Sequence, residues 1–162
     1  MTLNPRSEAV RRRLLRPWNF RLYLWARLPL AACAGLSLRR LDEAGCTVAL
    51  PGGWRTQNPF RSMYFAAQSM AAEMSTGAPA MMLAEGASAS VSMLVREVRG
   101  VFTRRIQGEA EFTFEDLAGM REAVDRAVAT GESESFVARS VGRNRDGGAA
   151  SEFEITWSFK RR

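Results

Sequence analysis

A chain of 162 residues, 46% apolar and 25% charged, is long enough for one domain with a hydrophobic core and has the composition of a globular protein, not of a disordered or fibrous one. The net charge of +6 is concentrated: residues 1–40 carry nine arginines against one acid, Glu8, whereas the rest of the chain is nearly balanced. The absence of histidine excludes Ser-His-Asp triads, Cys-His dyads and His-ligated metal sites, and two cysteines, Cys33 and Cys46, make neither a disulfide framework nor a CxxC pair, so reduced thiols in a cytoplasmic protein are the simplest expectation.

Residues 6–27 read as a basic, aromatic amphipathic helix in which Pro17 is a point of interruption. Trp18, Leu22 and Trp25 fall at i, i+4 and i+7, one stripe of that helix. The stripe either packs the helix onto the domain or meets anionic lipid or a phosphate-bearing ligand. The segment loosely resembles a secretion signal, but Arg21, Arg27 and Pro29 break its apolar run and leave too little for an h-region or a membrane span.

Residues 36–50 read as a hairpin, with Leu36 and Leu38 alternating before a turn at 42–45 and Val48 and Leu50 after it. Strong breakers make 51–61 a loop. A helix follows over 62–76, ended by Gly77 and Pro79. Residues 96–105 are extended, with Gly100 a bulge or kink. In 108–116, Ala110, Phe112 and Phe114 face inward and Glu109, Glu111, Thr113 and Glu115 outward. A helix over 117–130 is capped by Asp116 and terminated by Gly131. Two strands then flank the turn at 144–148, and the second turns Phe153, Ile155, Trp157 and Phe159 to one side. One-sided strands predict an antiparallel sheet with one face on a core and one on water. The expected fold is therefore α+β, one antiparallel sheet wrapped around a long central helix. Residues 1–30 form an extra N-terminal basic helical segment and 31–162 a single domain.

The central helix is apolar or small nearly all round, so it should be buried. Ser62, Ala66, Ser69, Glu73 and Thr76 form a narrow stripe of small and polar residues beside an apolar stripe of Met63, Ala67, Met70 and Met74. Glu73 is its one carboxylate. An unpaired buried charge is costly, and near a helix C-terminus it also opposes the macrodipole. The acid therefore either lines a cavity and performs chemistry, or reaches water or an arginine from the last turn. At the other end, Ser62, Met63, Tyr64 and Phe65 would present free backbone N–H groups, able to hold an anion or a developing oxyanion.

No glycine-rich phosphate loop and no aromatic-basic strand pattern occurs, so no cofactor, no metal and no nucleic-acid partner are expected. The stretches LYLWARLPLAACAGLSL, NPFRSMYFAAQSMAAE, GEAEFTFED and EITWSFKRR, in this order and spacing, resemble the hotdog-fold thioesterase superfamily. The likeness is to phenylacetate-pathway-type thioesterases generally and, more closely, to the uncharacterised domain-of-unknown-function family 4442. It implies a dimer, or a tetramer of it, acting on an acyl-CoA or acyl-carrier-protein thioester. It further implies that Glu73 is the general base or nucleophile and that Asn58 belongs to the catalytic loop before the helix. By position it makes Ser62, Met63, Tyr64, Phe65, Ala66 and Ser69 substrate-binding, while Arg61, Arg104 and Arg105 are candidates for CoA phosphates. The chain departs from the family's Asn-His-x-Gly-Ser-Met-Tyr-Phe-Gly-Ala pattern at Pro59, Arg61 and Ala66, which narrows the site. The resemblance leaves open a non-catalytic binder of acyl chains or acyl-CoA, with weak peripheral membrane contact through the N-terminal helix.

Overall fold

A computed structural model describes residues 3–162, so the first two residues of the expected N-terminal segment lie outside the described residues. Three helices open the chain: α1 (Pro5–Leu15), α2 (Pro17–Arg27) and α3 (Pro29–Ala34). Each starts on a proline, whose fixed φ suits the first helical position and whose missing N–H is no loss there. Pro17 also forces its neighbour Arg16 into extended backbone (ψ 115°), and this is the interruption expected within 6–27. Asn4 caps α1, its Oδ1 accepting from the Ser7 backbone N–H at 2.8 Å. The same side chain donates to the Gly86 carbonyl at 3.1 Å and so pins the start of the chain to the end of the central helix.

Strands β1 (Ser37–Leu41) and β2 (Cys46–Leu50) form the expected hairpin. Asp42 holds its turn by accepting from the N–H groups of Ala44 and Gly45. All five residues of β2 are buried. The central helix is α4 (Phe65–Gly86), which starts three residues later and ends ten residues later than 62–76. Its start is delayed because Tyr64 has extended backbone (φ −66°, ψ 135°), while Met63 and Tyr64 donate their N–H groups to the carbonyls of Ile106 (2.9 Å) and Thr56 (2.7 Å). Its end is delayed because burial overrides the local breakers. A mid-helix proline costs about 3 kcal/mol, whereas burying each of Met82 and Leu83 returns roughly 1.5–3 kcal/mol, and both are buried. Gly77 is present for close approach. A Cβ there would meet the Trp157 ring at 3.3 Å and Glu73 Oε1 at 3.0 Å.

The remaining elements are β3 (Val91–Phe102), β4 (Ala110–Phe114), α5 (Leu117–Thr130), β5 (Glu134–Asn144) and β6 (Ala149–Arg161). Strand β3 begins earlier than the expected 96–105, and its bulge lies between Val95 and Glu97, not at Gly100. Gly100 instead leaves room for the Phe153 ring, which a Cβ would meet at 2.9 Å. The inward faces of β4 and β6 are as expected: Ala110, Phe112, Phe114, Phe153, Ile155, Trp157 and Phe159 are all buried. Asp116 caps α5 through the Gly119 N–H, and Gly131 ends it at φ +78°.

The six strands form one antiparallel sheet in the order β1-β2-β4-β5-β6-β3. Its core face wraps α4, which touches β2, β3, β4, β5 and β6. Helix α1 lies against α4 and buries Val10 and Leu14 there, and α5 packs on β5 and β6 through Met120, Val124 and Ala127. Strand β3 is the outermost strand on its side, twelve residues long and mostly exposed.

Candidate functional site

Glu73 is in the third turn of a 22-residue helix, so the expectation of an acid at the helix C-terminus is corrected. Its carboxylate borders a cavity of about 310 Å³ walled by α1 and α2 on one side and β3 on the other. The walls are apolar: Phe20, Leu28, Met74, Met81, Met93 and Trp157. Among the described residues no side chain forms an ion pair or hydrogen bond with this carboxylate, so the arginine considered as its partner is not there. Burial raises its pKa above the ordinary glutamate value. The acid's charge acts outward as well. Tyr23, on the facing wall, has its phenol pKa raised first by burial and then by Glu73.

Hydrogen bonds from the sheet fix the helix face that carries the acid. Trp157 Nε1 donates to Thr76 Oγ1 at 2.9 Å, and that hydroxyl donates to the Glu73 backbone carbonyl at 3.0 Å. On the opposite side of α4, Ser75 and Ser140 meet at 2.8 Å between their hydroxyls.

A second recess, of about 520 Å³, lies at the N-terminus of α4. It gathers many of the sequence candidates: Asn58, Ser62, Met63, Tyr64, Phe65, Arg104 and Arg105 all line it. The free N–H groups are not where the sequence placed them. Ser62 N–H donates to Asn58 Oδ1 at 3.2 Å, and those of Met63 and Tyr64 are bonded as described above. Because the helix starts at Phe65, the unbonded donors belong to its first turn, Phe65 to Ala67. The Asn58 side chain organises the loop: Oδ1 accepts from Phe60 and Ser62, and Nδ2 donates to Ser62 Oγ at 3.1 Å. Arg61 stands where the resembling family has glycine and adopts φ +60°, a left-handed conformation. It does not line this recess but a smaller one with Gly52 and Gly53. Ala66 is exposed, and Ser69 turns its hydroxyl back to the Phe65 carbonyl at 3.0 Å. Arg104 pairs loosely with Asp146 at 3.5 Å.

Among the recess residues not read from the sequence, Gln68 is the polar one with unsatisfied bonding. Gln68 is buried, and its Nε2 donates to the Met63 carbonyl at 3.2 Å, while its Oε1 has no partner among the described residues. The readable signal was an amide set among alanines one position off the small-polar stripe. Within one chain the two features stand apart. Eight residues separate Phe65 from Glu73, about 12 Å of helix. The face connecting them runs through Ala66 and Ser69 and goes from exposed to half-buried.

No family model matches the chain, and no curated protein matches its sequence. Solved structures match its shape. A protein of unknown function from Chlorobaculum tepidum superposes with a TM-score of 0.76 at 12% identity, over 91% of this chain and 98% of that one. A Pseudomonas aeruginosa protein of unknown function, named a probable thioesterase, gives 0.72 at 18% identity, over 90% and 97%. A thioesterase from Haemophilus influenzae gives 0.63 at 13% identity, over 86% and 88%. The chain has the α+β hotdog fold, the fold of these thioesterases, with additional helices at its N-terminus. The finer resemblance to domain-of-unknown-function family 4442 has no matching family model behind it.

Proposed function

We propose that the protein hydrolyses acyl thioesters carried on CoA or on acyl-carrier protein, and that Glu73 is its catalytic carboxylate. The observation that carries this reading is a half-buried acid with no cationic partner among the described residues, facing an apolar cavity in a fold shared with thioesterases. Such an acid has the raised pKa that suits a base. Ionised, it takes a proton from water; the water oxygen bonds to the thioester carbonyl carbon. The carbon–sulfur bond then breaks, and the leaving thiolate takes the proton from Glu73. The carbonyl oxygen, negative in between, is held by the unbonded N–H groups of the first turn of α4.

In this reading the base and the oxyanion donors come from two copies of the chain, since within one copy they are about 12 Å apart. The homodimer is supported by the open edge of β3, a long strand with exposed Leu94, Val98, Val101 and Phe102. An edge of this length and apolarity calls for a pairing strand. The exposed rings of Tyr64 and Phe65, beside Phe102, continue the same surface. Arg104 and Arg105 at the recess are the candidates for carrier phosphates, and Asn58 acts by holding the loop. Among the described residues no helix is long and apolar enough to cross a membrane; a cytoplasmic location belongs to the proposal.

A second reading, a binder of acyl thioesters without turnover, is favoured by the exposed methyl group of Ala66 on the first turn of α4, where a glycine would let a thioester approach the backbone. Thiol release from a panel of acyl-CoA substrates separates the two. Release that disappears in Glu73→Gln supports the hydrolase. Saturable binding without release supports the binder.

A further inference from the structure

We propose that the outward face of α2 docks on an anionic lipid surface. Helix α2 turns Phe20 and Leu24 into the core and the opposite face into solvent, where Trp18 is 84% exposed, Leu22 70% and Trp25 52%. The sequence stripe that could have packed onto the domain is therefore the face that does not. The exposed residues Leu28 and Leu30 extend it past the helix end. A contiguous apolar patch of this kind on a folded surface marks an interaction site, and Trp with Leu is the pairing that settles at a membrane interface.

Charge selects the occupant. Between Glu8 and Asp42 the chain has no acidic side chain. Glu8 is itself taken up by Arg11 and Arg12. Arg16, Arg21 and Arg27, which bracket the stripe, are exposed and form no ion pair among the described residues. A second copy docked through this face would set these arginines against their own twins, because a two-fold contact is self-complementary. An anionic leaflet supplies both a place for the rings and counter-charge for the guanidinium groups. Beside the helix lies a cavity of about 460 Å³ whose walls combine Trp18, Leu24 and Leu36 with Arg21 and Arg55. Apolar walls with guanidinium groups suit an anionic amphiphile.

The test is sedimentation of the full chain with vesicles of phosphatidylcholine alone or of phosphatidylcholine with phosphatidylglycerol, at low and high salt. Two variants accompany it, W18S/L22S/W25S and R16E/R21E/R27E. All six residues are exposed, so both should fold, as circular dichroism will verify. Wild type should bind the anionic vesicles at low salt and release them at high salt. Each variant should bind at least about tenfold more weakly. No binding at low salt, equal binding to neutral vesicles, or wild-type binding by either variant overturns the proposal. So does a dimer that the serine variant converts to monomer, which would make the stripe a contact between copies. Thioesterase activity is not the readout, so this result is independent of the catalytic assignment.

Discussion

Trp157 donates its indole N–H to the Thr76 hydroxyl at 2.9 Å across the interface between β6 and α4. With the Ser75–Ser140 bond, this bond helps fix the rotation of the helix that carries Glu73, and the ring itself walls the acid's cavity. Structure and candidate chemistry depend on the same contact.

Trp157→Ala should destabilise the protein by roughly 3–5 kcal/mol, the scale for deleting a buried aromatic ring. Glu154→Ala, on the outer face of the same strand and paired loosely with Arg99 at 3.5 Å, should change stability by less than about 0.5 kcal/mol. Urea titrations of both variants check this, and similar losses would contradict the assigned core face.

The raised pKa of Glu73 has a defined sign in stability. The folded state holds the proton to higher pH than the unfolded chain, whose glutamate titrates near 4.5. Stability from this site is complete below that value and is lost as pH rises through the folded pKa. Glu73→Gln removes the dependence, so the variant should gain on wild type as pH rises through this window and keep a constant advantage above it. Hydrolysis by wild type should rise with pH through the same folded pKa, because only the ionised acid is a base. Denaturation midpoints against pH, alongside initial rates, measure both.

Arg61 at φ +60° bears a left-handed backbone that costs a side-chain-bearing residue roughly 1–2 kcal/mol. Glycine relieves this but loses about 0.5–1 kcal/mol through the greater freedom of its unfolded chain. Arg61→Gly should therefore be neutral or stabilising by up to about 1.5 kcal/mol, and Arg61→Val destabilising. A clear loss of stability in the glycine variant would show that the arginine side chain, not the backbone, holds the loop.

Light scattering at micromolar concentration should return a dimer, with specific activity falling on dilution toward monomer. A fully active monomer would contradict a site shared between copies.

The strands were legible because they are one-sided: alternation in 110–114 and 153–159 placed every inward residue correctly. Helix limits were not, because they are decided by contacts distant in sequence. Local rules stop α4 at Gly77 and Pro79, yet Met82 and Leu83 are buried beyond them, and the glycine sits where a Cβ would crowd Glu73 Oε1 and the Trp157 ring. Pro17 was legible as a break since its effect on Arg16 is local. The exposure of Trp18 could not be read, since periodicity defines a stripe without saying which way it faces. The apolar surroundings of Glu73 depend on α1, α2 and β3 meeting over it, and the significance of the Gln68 amide lies in the fold, where its Oε1 has no partner among the described residues.

Hydrolysis by Glu73→Gln is the most direct test of the catalytic assignment. The amide keeps the shape of the side chain and removes the base. Activity toward the best acyl-CoA substrate should fall at least ~10²-fold, the scale of a positioned general base, while stability at neutral pH holds or rises, because a partly buried charge is gone. Unchanged hydrolysis in a fully folded Glu73→Gln protein would contradict the assignment.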